Sequence, residues 1–228
     1  MTSSKFLDVL KNISPKPLRV IDASIPIAKY TSLNLSKNNP DVQDINVSSS
    51  CEFSKYISSY LKKHNALVAF GGYNEVRTIY DRSTYFDVDN QNKRNIHLGM
   101  DFWCATETPI LAPLDGTVHS FKNNRNYGDY GPTLILEHHS FEVNFFTLYG
   151  HLSLASIEDL NVGDTVTQGE QIATLGDTSI NGDYPPHLHF QIIKDIQDYF
   201  GDYPGVSAKS DLPFYLENCP NPEVLLWG

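Results

Sequence analysis

Cysteine is scarce in this 228-residue chain, which contains three. Cys51, Cys104 and Cys219 are widely separated and form no C-x-x-C pair, so a disulfide framework is excluded. Isolated cysteines in odd number are typical of a reducing compartment. The first residues, 1–8, lack the apolar stretch of a secretion signal. We therefore expect a cytoplasmic protein, or a secreted or periplasmic one if a leader has been removed.

Basic residues are also few, with 17 lysines and arginines against 27 acidic residues and a net charge of −10. Binding to a nucleic-acid backbone needs a basic face, and adsorption to anionic lipid needs clustered cationic side chains. We therefore expect neither a nucleic-acid partner nor a membrane partner. No apolar run approaches the roughly 20 residues that span a bilayer. Nothing in the sequence indicates an oligomeric state.

The distribution of helix and strand patterns changes near residue 95. The clearest helix lies at about residues 51–64, where apolar residues recur with helical spacing after a capping pair, Ser49 and Glu52. A second short helix is predicted at residues 3–11 and a short strand at residues 66–70. Further strands are predicted at about residues 96–102, 109–113, 116–121, 132–138, 143–149, 170–175 and 187–193, separated by turn residues.

These patterns predict an α+β fold that is mainly β. Residues 1–95 are expected to form a helix-containing N-terminal region that packs against the rest or regulates it. Residues 96–228 are expected to form a β domain with a C-terminal extension. Short strands at close spacing with turn signals are typical of an antiparallel sandwich or barrel.

Two pairs of polar residues stand on predicted strands with strict alternation. His97 and Asp101 share one face of residues 96–102, and Gly99 between them has no side chain to crowd that face. His187 and His189 share one face of residues 187–193 in the same way. The alternate positions of both strands are apolar and are expected to point into a core.

Imidazole and carboxylate groups are good zinc ligands, and a catalytic zinc site usually has three protein ligands and one open position. His97, Asp101 and one histidine of the 187/189 pair would supply three ligands. The other histidine of that pair and His151, which follows an apolar strand and a glycine, would be available for proton transfer and charge stabilisation. The pattern alone does not decide which of His187 and His189 binds the metal.

Five segments from about residue 94 to 193 resemble the lysostaphin-type (β-lytic) zinc metallopeptidases, a family of peptidoglycan endopeptidases. In chain order, the sequence shows His97-Leu98-Gly99-Met100-Asp101, then the strand pair at residues 109–118, then Gly150-His151, then a hairpin at residues 162–173, and finally His187-Leu188-His189. The resemblance implies a small β domain built on a duplicated hybrid motif, with a narrow groove over the metal.

The resemblance also implies a set of roles. His97, Asp101 and His189 would bind Zn²⁺, while His151 and His187 would be the catalytic histidines. The implied function is a zinc-dependent metalloendopeptidase that hydrolyses a peptide bond in peptidoglycan or a related small peptide. The segment at residues 71–75, Arg82 and the tail at residues 219–222 look more like an intracellular branch of the same family.

Three further interpretations remain open at this point. The chain could be a non-catalytic metal-binding or regulatory module on the same fold. A residue of the N-terminal region could occupy the open metal position, with Asp87, Asp89, Asn90, Asn92 and Asn95 as the candidates. The loop at residues 123–131, with Tyr127 and Tyr130, could form one wall of the groove or a plain surface loop. A lipoyl-type carrier is disfavoured because no lysine lies in the required turn.

Overall fold

The fold is taken from a computed structural model that describes residues 3–82, 93–140 and 143–227. Its helices are α1 (Ser3–Asn12), α2 (Pro40–Gln43), α3 (Ser50–Lys63), α4 (Leu212–Asn218) and α5 (Glu223–Leu226). Its strands are β1 (Tyr30–Ser32), β2 (Val68–Gly71), β3 (Ile96–His97), β4 (Met100–Trp103), β5 (Pro109–Leu111), β6 (Gly116–Asn124), β7 (Gly131–His139), β8 (Asn144–Gly150), β9 (Thr165–Val166), β10 (Gln171–Thr174), β11 (His187–Ile193) and β12 (Val206–Ser207). Within these ranges, no helix is long and apolar enough to cross a bilayer.

One eight-stranded sheet dominates the molecule, in the order β1-β2-β4-β11-β8-β7-β6-β9. Its pairs are antiparallel except for β1 and β2, which run parallel at one edge. Two small sheets, β10-β5 and β12-β3, complete the β structure. The mainly β prediction is therefore confirmed, with the parallel pair making the large sheet a mixed one.

The two faces of the large sheet carry different residues because successive side chains on a strand point to opposite sides. On β4 and β11, the even-numbered residues join the main core, which α1 and α5 cover through Phe6, Leu10, Leu225 and Leu226. The odd-numbered residues of β4 and β11 include Asp101, Trp103, His187 and His189. This second face is covered at one end by α3 and at the other by a cluster around Tyr203 and Cys219.

Helix α3 begins one residue earlier than predicted. Ser49 is its N-cap, and the Ser49 hydroxyl accepts a hydrogen bond from the Glu52 amide at 3.3 Å, as the capping pattern predicts. The buried stripe of α3 is formed by Phe53 and Ile57, and the Phe53 ring lies edge-on to Trp103 at 5.2 Å. The helix therefore packs against the strand that carries Asp101.

The predicted strand at residues 96–102 is wrong in one respect. It is broken at Leu98 and Gly99 into β3 and β4, which belong to different sheets. Backbone contacts with β12 and the residue before it stabilise this interruption, and the sequence does not reveal them. His97 pairs with Val206 of β12, and the Leu98 amide donates to the Gly205 carbonyl at 2.9 Å. Strands β1 and β12, each two or three residues long, and the short helices α2, α4 and α5 were not predicted.

The boundary predicted at residue 95 is crossed by the large sheet. Residues Ala69, Phe70 and Gly71 of β2 pair with Trp103, Phe102 and Asp101 of β4. Helix α1 contributes Phe6 and Leu10 to the same core as β11. The N-terminal residues thus share a sheet and a core with the β region.

Candidate metal centre

The three predicted metal ligands come together on the second face of the sheet. In the register of β4 and β11, Asp101 lies directly opposite His189. The His97 side chain reaches the same point from β3, just before the interruption between β3 and β4. A Cβ built on Gly99 would lie 2.6 Å from atoms of the His189 ring. A larger residue would therefore meet the His189 ring at this position, a contact that the sequence did not predict.

The three donor atoms form a small triangle. His97 Nε2 lies 2.8 Å from His189 Nδ1, and Asp101 Oδ1 lies 3.2 Å from the former and 3.3 Å from the latter. All three side chains are buried, with at most 2% of each residue exposed. Three donors held at about 2.0–2.2 Å by a tetrahedral zinc ion would lie roughly 3.3 Å apart. The triangle is close to that size.

Hydrogen bonds on the far side of each ring fix which nitrogen carries a proton. The Gly72 carbonyl, which can only accept, lies 2.9 Å from His97 Nδ1. Oε1 of Gln191 lies 2.9 Å from His189 Nε2, while the Gln191 amide nitrogen donates to the Pro204 carbonyl. Both distal nitrogens therefore donate, so His97 Nε2 and His189 Nδ1 present lone pairs.

Three lone pairs thus face one another without a proton between them. Asp101 Oδ1 is a buried carboxylate oxygen with no hydrogen-bond partner. Such an arrangement is strongly repulsive unless a cation lies among the three atoms. Two neutral imidazoles and one carboxylate are a donor set that fits zinc. The residues present therefore fit a zinc ion on both distance and chemistry.

The electrostatics keep His97 and Asp101 in the protonation states that metal binding requires. Burial, together with the positive charge of Arg77, lowers the pKa of His97 to about 4. Burial alone would raise the pKa of Asp101, but His97 and Arg77 hold it well below its usual range. At neutral pH the imidazole is therefore neutral and the carboxylate is ionised.

The two predicted catalytic histidines flank this triangle. His187 Nδ1 lies 2.8 Å from the Pro185 carbonyl, and His151 Nδ1 lies 2.8 Å from the Asn181 carbonyl. In each ring, Nε2 is therefore the nitrogen available on the side of the site. His187 Nε2 is 4.0 Å from Asp101 Oδ1, and the His151 and His187 ring centres are 4.2 Å apart.

Burial lowers the pKa of His187 to about 4 and, with the neighbouring His187, holds the pKa of His151 well below its usual range. Both rings are thus neutral bases at neutral pH. His151 itself adopts the left-handed conformation, with φ 64°, so the chain turns at this residue. Gly150 has a different role, because a Cβ there would lie 2.6 Å from the Tyr130 ring.

A cavity of about 150 Å³ opens beside the five residues. Tyr130 lines it, and the Tyr130 hydroxyl lies 3.4 Å from His189 Nε2. Tyr127 is 51% exposed and lies outside the cavity lining. The loop predicted at residues 123–131 therefore contributes Gly128, Asp129 and Tyr130 to the cavity wall, while Tyr127 lies at the surface. The cavity is also lined by Arg77, Tyr80, Arg94, Trp103, Tyr184 and Asp202.

Four of the five residues predicted as able to occupy the open metal position lie outside the described residues: Asp87, Asp89, Asn90 and Asn92. Asn95 is described: its amide donates a hydrogen bond to the Ser207 carbonyl, and its carbonyl accepts one from the Arg77 amide. It is absent from the lining of the cavity. Occupation of the metal position by an upstream residue therefore stays a prediction.

Two contacts at this site were missed by the sequence analysis. Trp103 stacks on His187, with ring centres 3.9 Å apart and planes 16° from parallel. Arg77 donates from Nη1 to Asp101 Oδ2 at 2.6 Å. The Trp103 contact could have been found from strand alternation, since Trp103 shares a face with Asp101. No local pattern marks Arg77, because its partner lies 24 residues later in the chain.

Three convergent donor atoms, two neutral histidines beside them and an adjoining cavity are the arrangement expected of a catalytic metal site that keeps one position open. Residues 95–199 match the model of Peptidase family M23. The family resemblance noted from the sequence is thereby confirmed. All five site residues fall within the matched range.

Two curated relatives illustrate the match. An uncharacterized metalloprotease of Haemophilus influenzae is 38% identical over 95 residues, which is 42% of this chain and 18% of the relative. The peptidoglycan DD-endopeptidase ShyA of Vibrio cholerae is 31% identical over 98 residues, which is 42% of this chain and 20% of the relative. The chain thus matches about a fifth of the length of these relatives.

Among solved structures, the catalytic domain of lysostaphin from Staphylococcus simulans aligns with a TM-score of 0.42 and 22% identity. The alignment covers 71% of this chain and 96% of the lysostaphin domain.

Proposed function

We propose that this protein is a zinc-dependent metalloendopeptidase that hydrolyses a peptide bond. The observation that carries the proposal is the triangle of lone pairs formed by His97 Nε2, Asp101 Oδ1 and His189 Nδ1. In this proposal, these three residues hold the zinc ion. When bound, zinc lowers the pKa of water toward about 7 and polarises a carbonyl group.

The remaining steps belong to the chain's own residues. His187 is the proposed general base and acid, because its Nε2 is available, its ring is neutral, and it lies beside Asp101. It would take a proton from the attacking water and return it to the leaving amine. His151, whose ring adjoins that of His187, would hydrogen-bond the oxygen on which negative charge develops.

The proposed substrate is a peptide of the kind found in peptidoglycan. The cavity of about 150 Å³ is narrow and adjoins all five site residues, which suits the reacting segment of an extended chain better than the surface of a folded protein. Its tyrosine side chains offer apolar rings that end in hydroxyl groups, and Trp103 adds a further apolar surface. The name of the Vibrio cholerae relative, a peptidoglycan DD-endopeptidase, supports the same substrate class.

The test is metal content followed by cleavage. We expect one zinc per chain in the wild type by plasma mass spectrometry, and loss of zinc in Asp101→Ala and His189→Ala. His138→Gln is the matched control, since it alters a buried histidine elsewhere in the sheet and should retain zinc. Muropeptides and short synthetic peptides are then screened for cleavage by mass spectrometry.

Each outcome has a clear reading. Zinc together with cleavage that is lost on chelation would support the peptidase. Zinc without cleavage of any muropeptide or peptide would favour a non-catalytic metal-binding module on the same fold. No zinc in the wild type, even after zinc is supplied, would contradict the proposal.

A further inference from the structure

Arg77 lies outside the residues that match the peptidase family, yet it contacts the metal centre. The segment that carries it is fixed to β3 by backbone hydrogen bonds. The His97 amide donates to the Glu75 carbonyl at 3.0 Å, and the Arg77 amide donates to the Asn95 carbonyl at 2.9 Å. The position of Arg77 is therefore set by the strand that carries His97.

The guanidinium of Arg77 bridges two carboxylates. Its Nη1 lies 2.6 Å from Asp101 Oδ2, and its Nε lies 2.6 Å from Glu75 Oε2. The other oxygen of Glu75 accepts a hydrogen bond from the Leu35 amide at 2.9 Å. Arg77 is 4% exposed and Asp101 is 1% exposed, so the bridge is shielded from water. A planar guanidinium with both ends engaged has little freedom to move.

The two carboxylate oxygens of Asp101 thus have different surroundings. Oδ2 is taken by Arg77, while Oδ1 has no hydrogen-bond partner and faces His97 and His189. Rotation of the carboxylate would break a short, buried ion pair. Asp101 is therefore held with a single oxygen presented to the two imidazole nitrogens.

Gly72 supports the same arrangement from the backbone. Its carbonyl lies 2.9 Å from His97 Nδ1. A Cβ built on Gly72 would lie 1.9 Å from Arg77 Nη2, and its φ of +100° disfavours any other residue. The segment of residues 72–77 thus contacts two of the three candidate ligands, through one carbonyl and one guanidinium.

We propose that Arg77 is a positioning residue of the metal centre, whose guanidinium occupies Asp101 Oδ2 so that Oδ1 alone is presented to the metal. The inference rests on the metal centre of the proposed function but not on peptide cleavage. It makes the N-terminal region a structural part of the metal site, although the family match begins at residue 95.

The experiment measures binding of Zn²⁺ by chelator competition and the visible spectrum of the Co²⁺-loaded protein. The variants are Arg77→Met, Arg77→Lys and the double variant Glu75→Gln/Arg77→Met, all in the full chain. Loss of a residue that hydrogen-bonds a metal ligand typically weakens metal binding 10–100-fold. We expect a loss in this range for Arg77→Met. We also expect a weaker Co²⁺ absorption band, because a carboxylate released to bind through both oxygens raises the coordination number.

The companion variants separate positioning from charge and from folding. The double variant removes the charge of Glu75 together with that of Arg77, so the net charge is unchanged and Glu75 is not left as an unpaired carboxylate. We expect it to bind Zn²⁺ as weakly as Arg77→Met. Lysine keeps the positive charge but cannot contact Glu75 and Asp101 with the planar geometry of a guanidinium. Arg77→Lys should therefore bind Zn²⁺ more weakly than the wild type. The matched control is Arg19→Met, which removes a structural arginine that donates to the Ile25 carbonyl and the Tyr30 hydroxyl. It should bind Zn²⁺ like wild type.

Four results would overturn the inference. Arg77→Met could match the wild type in Zn²⁺ affinity and Co²⁺ spectrum, in which case the metal centre stands and only the role of Arg77 fails. Arg77→Lys could restore both readouts, so that charge alone suffices. Arg19→Met could lose the same affinity, so that the effect is one of general stability. A wild type that binds neither Zn²⁺ nor Co²⁺ would overturn the metal centre as well.

Discussion

The large sheet carries two buried histidine clusters that differ in how their nitrogens are paired. At the metal centre, each ring of His97 and His189 donates outward and turns a lone pair toward a common point. In the second cluster, His138 Nδ1 lies 2.8 Å from the Asp115 carbonyl and Nε2 lies 2.7 Å from the Thr147 hydroxyl. A hydroxyl can donate or accept, so both nitrogens of a neutral His138 are satisfied.

Burial and titration do not distinguish the clusters. His97 and His138 are each 2% exposed, and burial lowers the pKa of both to about 4. The difference lies in their partners. One cluster is complete within the protein, while the other leaves a carboxylate oxygen without a hydrogen bond. The unpaired carboxylate oxygen that faces two imidazole nitrogens, and not burial or a shifted pKa, distinguishes the candidate metal centre from the His138 cluster.

The largest expected difference is in catalysis. A positioned general base typically contributes 10²–10⁴-fold to a rate, so His187→Ala should lower kcat by about this factor while zinc is retained. His138→Gln should leave kcat per folded molecule within about twofold of wild type, since His138 contacts no residue of the site. Steady-state cleavage with parallel zinc analysis checks both. An equal loss in the two variants would contradict the assigned roles.

The next difference is in stabilisation by metal. A ligand that binds only the folded state at about 1,000 times its Kd adds about 4 kcal/mol to the free energy of unfolding. We expect this gain in wild type and in His138→Gln, but not in Asp101→Ala. Urea unfolding with and without Zn²⁺ measures it. A gain that survives Asp101→Ala would place the metal elsewhere.

In the metal-free protein, His138 should contribute to the pH dependence of stability. Its pKa falls from 6.5 to about 4 on folding, so between these pH values the unfolded chain binds a proton that the folded chain does not. Stability therefore decreases as pH falls from about 6.5 to about 4, and His138 accounts for at most about 3 kcal/mol of this decrease. Unfolding of metal-free His138→Gln should show a shallower pH dependence than wild type. Identical slopes would refute this contribution.

The smallest effects come from paired glycines, one beside each cluster. A Cβ on Gly99 would lie 2.6 Å from the His189 ring, and one on Gly116 would lie 2.9 Å from His138 Nδ1. Overpacking costs about 1–3 kcal/mol of folding free energy, so both alanine variants should be destabilised. Only Gly99→Ala should also weaken Zn²⁺ binding in chelator competition. A loss of affinity in Gly116→Ala would show that the clusters are coupled.

Much of the site was predictable because it depends on strand alternation. The face shared by His187 and His189 follows directly from a strand period of two, and β11 shows that alternation. His97 does lie beside Asp101, as predicted. The predicted reason, one continuous strand, is only partly right, because the strand is interrupted directly after His97. The triangle forms because β4 and β11 pair with Asp101 opposite His189, a register that single-strand patterns cannot specify.

What the sequence did not reveal depends on long-range contacts. Arg77 is an arginine in a segment without clear periodicity, and its role appears only when β2 pairs with β4 and brings residues 72–77 beside Asp101. Strands as short as β12 carry too few residues to show a pattern. Their positions are set by partners, such as the pairing of Val206 with His97.

The pairing of β2 with β4 has a consequence for any shortened form of the protein. Strand β4 is fully buried and lies between β2 and β11, with an apolar face and a polar one. A fragment trimmed to residues 95–199 would remove β2 and leave β4 as an open sheet edge with unpaired amide and carbonyl groups. Such edges recruit strands from other molecules. We therefore expect the isolated fragment to aggregate, because it lacks the strand β2 that covers this edge in the full chain.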